Sequence, residues 1–398
     1  MDRYAAVGRT LRGAAPHELP QAARKALTEH FTATQVELLM ADYAMTILQP
    51  VPALPYTTER IPVHASAPGR AFGAQEPYVE SGGAGGTGGL GGGSGAVVIH
   101  LPVTVRGDRL GVLSVTLPPE TYSPQALREL VLIAEALGHE IVVAERDTDL
   151  YVQARRVERL TLAAEMQWQL LPGRSCSRRE YDLGGHLEPA YAVFGDNFDW
   201  STSADHLTLT ISNGMGQGIS AALLTNLTVH ALRNARRAGL GLADQACLAD
   251  QAVYGQYRGA AHVSALLLRF DLATGAVRVI DAGSPKVWRL RSGKVEQITG
   301  LEAQLPLGMF EDSLYTEQPF KVLPGDRLLF VSDGVYDVAS PAGERYSERE
   351  LARALTSTRL LPPAEVPRAV LGELAGHRGE TRAEDDATVV CLDWHGRP

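Results

Sequence analysis

The sequence predicts a protein of mixed α/β and α+β class that is built from two domains. Three observations support this prediction. The length of 398 residues corresponds to two or three domains of ordinary size. In the first part of the chain, helical spacing of apolar residues gives way to strand-like segments. In the second half, acidic residues repeatedly stand next to short apolar segments that have the composition of strands.

The N-terminal part combines helical and strand signals. Residues 19–51 begin with apolar residues at helical spacing and continue with alternation, which predicts a helix leading into strands. Residues 97–117 contain two β-branched runs around a short polar turn, which predicts a hairpin. Between them, residues 81–95 are so rich in glycine that we predict a flexible loop. A strand-like segment follows this loop, which argues against a nucleotide-binding loop.

Helical spacing returns over residues 124–170 and predicts a long helix. Two interpretations remain open: a core helix of the first domain followed by a linker, or a dimerising helix that relays a signal. On this basis we divide the chain into a first domain at 1–145, a connecting helix at 146–171 and a second domain at 172–398.

Composition excludes several classes of protein. There are 37 Lys and Arg residues against 46 Asp and Glu residues, and the net charge of −9 disfavours binding to nucleic acid or to an anionic membrane. No segment approaches the about 18 uncharged apolar residues of a membrane span, and the N-terminus lacks the apolar core of a secretion signal. The three cysteines are far apart and suggest neither a disulfide framework nor a zinc knuckle. We therefore expect a cytoplasmic protein.

Polar residues at predicted strand ends are the candidate functional residues of the second half. Asp196 follows a short strand-like run, Asn213 lies in a glycine-rich turn between a strand and a helix, and Asp333 ends an apolar strand. Asp385 and Asp386 precede another apolar strand. Taken alone, Asp196 would be interpreted as an aspartate that caps a turn. Asp385 and Asp386 alone would be interpreted as an acidic pair in a solvent-exposed turn. Together they supply the oxygen ligands that Mg²⁺ and Mn²⁺ prefer.

The second half also resembles a known family. The segment LTLAAEMQWQLLP resembles the A-x-x-x-Q-x-x-L-L-P ending that leads into bacterial serine phosphatases of the metal-dependent (PPM) class, in the SpoIIE-like subgroup of sporulation and stress-response sigma-factor regulators. The segments FGDNFDW, SNGMGQG, VSDGVYD and AEDDATVV resemble motifs of that class in the same order. The resemblance runs from about Leu170 to Leu392 and implies a four-layer α/β/β/α domain.

The resemblance also implies a site with two Mn²⁺ or Mg²⁺ ions. The implied catalytic and metal-binding positions are Asp196, Asn213, the backbone carbonyl of Gly214, Asp333, Asp385 and Asp386. Of the final pair, Asp385 is the better match to the family ligand. Asn213 departs from the family because it replaces the bridging aspartate, and an amide supplies one neutral oxygen and no negative charge. Ser284 is a second departure, since a histidine is usual there.

Two functions follow from the resemblance. The first is a protein serine/threonine phosphatase that hydrolyses a phosphorylated regulatory protein, by analogy an anti-sigma-factor antagonist. The alternative is a pseudophosphatase that binds a partner without turnover, because Asn213 lacks the bridging charge.

The first domain resembles a GAF sensor domain in PVTVRGDRLGVLSVTLP and LRELVLIAEALGHEIVVA. This resemblance implies that the first domain gates the second. The length of the predicted helix favours a homodimer through the connecting segment. A protein that acts only through its first domain would leave the C-terminal carboxylates unexplained.

Overall fold

The computed structural model describes residues 3–51, 60–81, 95–157, 159–188, 193–346, 348–379 and 385–397. The chain forms two compact units, Met1–Arg159 and Leu160–Pro398. The glycine-rich segment at 81–95, which we predicted to be a loop, lies outside the described residues except for its first and last positions. Within the described parts of the chain, no helix combines the length and the apolar character that crossing a bilayer requires.

The first unit contains a six-stranded antiparallel sheet with the strand order β3-β2-β1-β6-β5-β4. Its helices are α1 Arg3–Gly13, α2 Leu19–Phe31, α3 Ala67–Ala74, α4 Pro124–Ala144 and α5 Leu150–Ala154. Its strands are β1 Gln35–Ala41, β2 Ile47–Pro50, β3 Ile61–Pro62, β4 Tyr78–Ser81, β5 Val97–Val105 and β6 Asp108–Leu117. Helices α1, α2 and α4 pack with β1 and β5 around one core. The predicted helix followed by strands and the predicted hairpin are therefore confirmed.

The single helix predicted from residue 124 through the connecting segment at 146–171 is wrong. Helix α4 ends at Ala144, whose carbonyl accepts hydrogen bonds from the backbone amides of Asp147 and Thr148. A separate helix, α6 Leu162–Leu170, begins after Thr161, which has extended backbone angles and accepts a hydrogen bond from the amide of Ala164 at 3.2 Å. A polar turn and a threonine cap thus interrupt the helix, although the apolar spacing continues across them. The homodimer through this segment stays a prediction.

The second unit contains two antiparallel sheets. Their strand orders are β15-β12-β11-β10-β9 and β14-β13-β16-β17-β8-β7. The strands are β7 Ser175–Ser177, β8 Tyr181–Glu188, β9 Asp196–Thr202, β10 His206–Gly214, β11 Val263–Asp271, β12 Ala276–Ala282, β13 Lys286–Arg291, β14 Lys294–Gln297, β15 Gln318–Lys321, β16 Asp326–Val331 and β17 Ala387–Trp394. After α6, the helices are α7 Gly218–Arg237, α8 Leu242–Tyr257, α9 Asp333–Tyr336, α10 Glu348–Ser357 and α11 Val366–Arg378.

Alternation along the strands explains the layers of the second unit. On β11, Leu266 and Leu268 belong to the core between the sheets, whereas Leu267 packs with α7 and α8. On β16, Phe330 belongs to the core between the sheets, and Leu329 packs with α10 and α11. Because successive side chains point to opposite faces of a strand, these strands bury both faces and have continuous apolar sequences. The predicted four-layer α/β/β/α architecture is confirmed.

Candidate metal centre

The backbone brings the predicted site residues together from four elements. Asp196 begins β9 and pairs with Asn213 on β10 in the antiparallel register. Asp333 follows the end of β16, and Asp386 directly precedes β17, which pairs with β16. The carboxylate of Asp386 accepts a hydrogen bond from the amide of Asp196, which joins the ends of the two sheets. The candidate site therefore lies where both sheets end.

Two glycines permit close approach of backbone at this point. Gly195 has φ of +107°, and a Cβ atom there would lie 2.0 Å from the carbonyl oxygen of Gly214. A Cβ atom on Gly334 would lie 1.7 Å from the carbonyl oxygen of Asp386. Real Cβ contacts of that length do not occur, so only glycine fits either position. These glycines set how closely the strand ends meet.

Asp386 is fully buried and organises the turn before β9. Its Oδ2 accepts hydrogen bonds from the backbone amides of Phe194 at 2.8 Å, Gly195 at 3.1 Å and Asp196 at 3.3 Å, and from the side-chain amide of Gln167 at 3.0 Å. Its Oδ1 is buried and has no hydrogen-bond partner within the described ranges. Burial raises the pKa of Asp386 to about 7, against the opposing effect of these hydrogen bonds. Oδ2 of Asp386 thus accepts hydrogen bonds from the described residues, whereas Oδ1 accepts none from them.

Asp196 is fully buried, and neither of its carboxylate oxygens accepts a hydrogen bond of normal geometry from the part of the chain that the structure describes. The nearby hydroxyl of Ser332 favours the charged form of Asp196. Burial has the larger effect and raises the pKa of Asp196 well above its usual value. The charges of Asp386, Asp333 and Asp385 raise this pKa further. An ionised carboxylate in this position is unfavourable unless a cation lies beside it.

Asn213 and Asp333 are joined directly. The Asn213 side-chain nitrogen donates a hydrogen bond to Oδ1 of Asp333 at 2.5 Å, and the amide of Gly334 donates to the same oxygen at 3.0 Å. Asp385 is half-buried, and its Oδ1 accepts a hydrogen bond from the amide of Asp386 at 2.8 Å. Burial, followed by the charge of Asp333, raises the pKa of Asp385 to about 6. The side-chain amide of Asn213 therefore donates a hydrogen bond to one carboxylate of the candidate site and adds no charge to the site.

The structure thus brings all the predicted site residues close to one another, and their roles as metal ligands stay predictions. Gly214 ends β10, and its amide donates to the carbonyl of Gly195 at 2.9 Å. Among the residues that the structure describes, no three His, Cys, Asp or Glu side chains already have the arrangement of a metal site. The donor chemistry nevertheless fits a hard divalent cation, because the described residues provide no hydrogen-bond partner for the buried oxygens of Asp196 or for Oδ1 of Asp386.

Asp199, the second acid of the FGDNFDW segment, has a different environment from Asp196. Its carboxylate accepts hydrogen bonds from Arg233 at 2.7 Å and from Arg236 at 2.9 Å, both on α7. Two cations therefore neutralise Asp199 within the protein. We infer a role in packing α7 onto β9.

Sequence reasoning missed three residues that support the site. Gln167 on α6 donates to Asp386 and also to the carbonyl of Asp196 at 3.2 Å. The hydroxyl of Thr225 donates to the carbonyl of Gly195 at 2.8 Å, and the hydroxyl of Ser332 accepts from the amide of Thr388 at 2.9 Å. Gln167 stands in the segment that carries the family resemblance. Nothing in the spacing indicates its partners, because they lie far away in sequence.

Comparison with known proteins yields relatives at low identity. IcfG of Synechocystis sp. is 24% identical in an alignment of 269 positions that covers 59% of this chain and 42% of IcfG. Phosphoserine phosphatase RsbU of Bacillus subtilis is 22% identical over 263 residues, which are 66% of this chain and 77% of RsbU. Phosphoserine phosphatase RsbP of the same organism is 26% identical over 54% of this chain and 52% of RsbP. The chain therefore spans less than half of IcfG and about half of RsbP.

A solved structure and a family model agree on the second unit. The SiaA-PP2C domain of Pseudomonas aeruginosa superimposes with a TM-score of 0.50 at 22% identity, over 58% of this chain and 94% of that domain. The second unit therefore has the fold of a PP2C phosphatase domain. Asp196 lies upstream of the segment that the family model matches. That segment, residues 203–395, matches the family described as Stage II sporulation protein E (SpoIIE).

Proposed function

We propose that this protein is a metal-dependent protein serine/threonine phosphatase that acts on a phosphorylated regulatory protein in sigma-factor or stress signalling. The observation that carries the proposal is the buried carboxylate of Asp196, whose pKa three further carboxylates raise and which accepts no hydrogen bond of normal geometry from the described residues. The match to the SpoIIE family and the relatives named as phosphoserine phosphatases support the same activity. The proposed substrate is a phosphorylated anti-sigma-factor antagonist.

The proposed ligands are hard oxygen atoms that suit two Mn²⁺ or Mg²⁺ ions. Asp196, Asp333 and Asp385 would provide carboxylates, and Asn213 and the carbonyl of Gly214 would provide neutral oxygens. Asp386 has one oxygen engaged with the turn before β9 and a second, unpartnered oxygen available for an ion.

When bound, such ions lower the pKa of water and neutralise phosphoryl oxygens. The chain itself contributes a dry environment around Asp196 and a turn fixed by Asp386 and Gln167. In the proposed hydrolysis, a bond forms between the oxygen of water and phosphorus, and the bond from phosphorus to the seryl or threonyl oxygen breaks. The departing oxygen takes up the proton that the attacking water loses. Because water attacks phosphorus directly, no phosphoenzyme is required.

The test is release of phosphate from a phosphoserine protein and from p-nitrophenyl phosphate, with and without Mn²⁺. We expect Mn²⁺-dependent turnover and a loss of at least about 100-fold in Asp333→Ala, because a ligand and a charge disappear together. Asp337→Ala is the matched control, since Asp337 is the residue directly after the same short helix and pairs with Arg345 at the surface. Equal turnover in the native chain and in Asp333→Ala would contradict the proposal.

A pseudophosphatase is the second candidate function. The observation that favours it is the hydrogen bond from Asn213 to Asp333, which stabilises the carboxylate group without an ion. In this case the second unit binds a phosphorylated partner and releases no phosphate. The native chain would then show partner binding without Mn²⁺-dependent turnover.

We also propose that the first unit is a GAF-like sensor that gates the second, in a cytoplasmic homodimer. The apolar side chains of Leu132, Val142 and Val143 on α4 are exposed and support a self-association surface. Light scattering on the full chain tests the homodimer. We expect a dimer that Val143→Glu converts to a monomer, and a monomeric native chain would contradict it.

A further inference from the structure

A cavity of about 300 Å³ lies in the second unit beside α9. Leu266, Val287 and Ile298 form part of its apolar floor. Ser284, Lys286 and Tyr336 belong to its polar rim. Its volume is at the lower end of the range for small-ligand sites, about 300–1,000 Å³, and suits one or two side chains better than a large ligand.

Tyr336 connects the cavity to the carboxylates of the candidate metal centre. It is the last residue of α9, which begins at Asp333, and its hydroxyl donates a hydrogen bond to the carbonyl of Ser284 at 2.7 Å. Burial raises the pKa of Tyr336, and the negative charges of Asp333 and Asp196 raise it further. One wall of the cavity is therefore within electrostatic reach of the proposed catalytic carboxylates.

Lys286 places a positive charge at this cavity. Its ammonium group lies 3.6 Å from the centre of the Tyr336 ring, a cation–π contact that holds the group near the rim. Within the described part of the chain, Lys286 forms no ion pair with a carboxylate. Asp281, an acid of the lining, accepts a hydrogen bond from the amide of Gly283, and burial raises the pKa of Asp281. The lining therefore leaves the charge of Lys286 without a carboxylate partner.

We propose that this cavity is a subsite for an acidic side chain that flanks the phosphorylated residue of the substrate protein. Lys286 pairs with the incoming carboxylate, and the buried hydroxyl of Ser284, which has no partner, is a further hydrogen-bonding group of the lining. The phosphoryl group of the substrate would bind at the carboxylates of the candidate metal centre and their proposed ions. The cavity is therefore available for a substrate residue that flanks the phosphorylated residue. This inference rests on the proposed function, because it assigns part of the substrate of the same site.

The test uses phosphoserine peptides in which a single Glu replaces Gln at each position within three residues of the phosphoserine. Their dissociation constants for the full chain with Mn²⁺ are measured by fluorescence anisotropy, which requires no turnover. At one position we expect the Glu peptide to bind about 5-fold to 10-fold more tightly, as a charge-assisted hydrogen bond allows. Lys286→Met should bring this ratio below about twofold, and Lys286→Arg should retain it.

Lys294→Met is the matched control. Lys294 lies in the neighbouring strand β14, is 79% exposed and pairs with Glu296 outside the cavity. This variant should keep the preference of the native chain for the Glu peptide. Thermal unfolding of all three variants establishes that each is folded.

The outcomes separate the subsite from the proposed function. Hydrolysis of p-nitrophenyl phosphate by the native chain is measured alongside. If hydrolysis is absent and the Glu preference depends on Lys286, the phosphatase proposal fails and the subsite stands as part of a binding module. Equal affinities for all peptides, no measurable binding of any peptide, or a preference that persists in Lys286→Met would overturn the subsite.

Discussion

Replacing Asn213 by Asp tests how the carboxylate group is stabilised when no ion is bound. In the native chain, the Asn213 amide donates to a carboxylate oxygen of Asp333 at 2.5 Å. The substitution replaces this donor by an acceptor oxygen. The lost hydrogen bond to a charged group accounts for about 1.5–3 kcal/mol. Repulsion between two carboxylates about 4 Å apart adds up to about 4 kcal/mol at an effective dielectric constant of about 20.

Relaxation and proton uptake reduce the sum, so we expect Asn213→Asp to lower the free energy of unfolding by about 3–5 kcal/mol in the presence of a chelator. With Mn²⁺ the substitution should raise the free energy of unfolding instead of lowering it, because the new carboxylate adds negative charge to the proposed metal site. An ion that binds only the folded state stabilises it by RT ln(1 + [Mn²⁺]/Kd). The increase in stability on adding Mn²⁺ should therefore be larger in the variant than in the native chain.

The assay is urea unfolding followed by circular dichroism, with EDTA or with MnCl₂. Asn234→Asp is the matched control, because Asn234 is exposed on α7 and the change adds the same charge away from the site. An Asn213→Asp variant as stable as the native chain in EDTA would refute the reasoning about repulsion. Phosphatase activity in the same samples separates the two functions. Activity that appears only in the variant favours a pseudophosphatase, and similar rates in both proteins reject it.

Three further predictions concern the surroundings of the site, each measured as the free energy of unfolding in urea. Gly195→Ala should cost at least about 2 kcal/mol more than Gly216→Ala, because both have positive φ but only Gly195 faces a carbonyl at 2.0 Å. Arg233→Met should cost about 1–3 kcal/mol through its lost ion pair, against less than about 0.5 kcal/mol for the exposed Arg237→Met. The raised pKa of Asp386, about 7, means that the folded state binds the proton more tightly. In EDTA, the native chain should therefore lose stability relative to Asp386→Asn as the pH rises from about 4 to about 7, and a gain would contradict this.

The sequence predicted the layers of the second unit because strand alternation is a local property. Leu266, Leu267 and Leu268 form an apolar run, which is typical of a strand covered on both faces. The break between α4 and α6 could not be predicted from the same kind of pattern. The apolar spacing continues through it, and the interruption depends on the cap at Thr161 and on the turn after Ala144.

The sequence predicted which residues form the candidate site, but it did not predict which of them contact one another. Asp196 and Asp333 stand at strand ends, which the sequence displays directly. The roles of Asp385 and Asp386 depend on which side chain is buried, and the buried one, Asp386, lies where its carbonyl closely approaches Gly334. Such an approach joins segments about fifty residues apart, so no local spacing could indicate it. The partners of Gln167 lie 29 and 219 residues away, so no local spacing indicates them either.

The contrast between Asp196 and Asp199 is the strongest physical argument for a cation at the site. Both acids lie on β9, three residues apart, and both are buried. Because strand side chains alternate, an odd separation places them on opposite faces. Asp199 faces α7, where Arg233 and Arg236 neutralise it. Among the described residues Asp196 has no such partner, and the charges of Asp386, Asp333 and Asp385 raise its pKa. The chain thus neutralises the acid that packs a helix, and we propose that a cation from solution neutralises the acid at the start of β9.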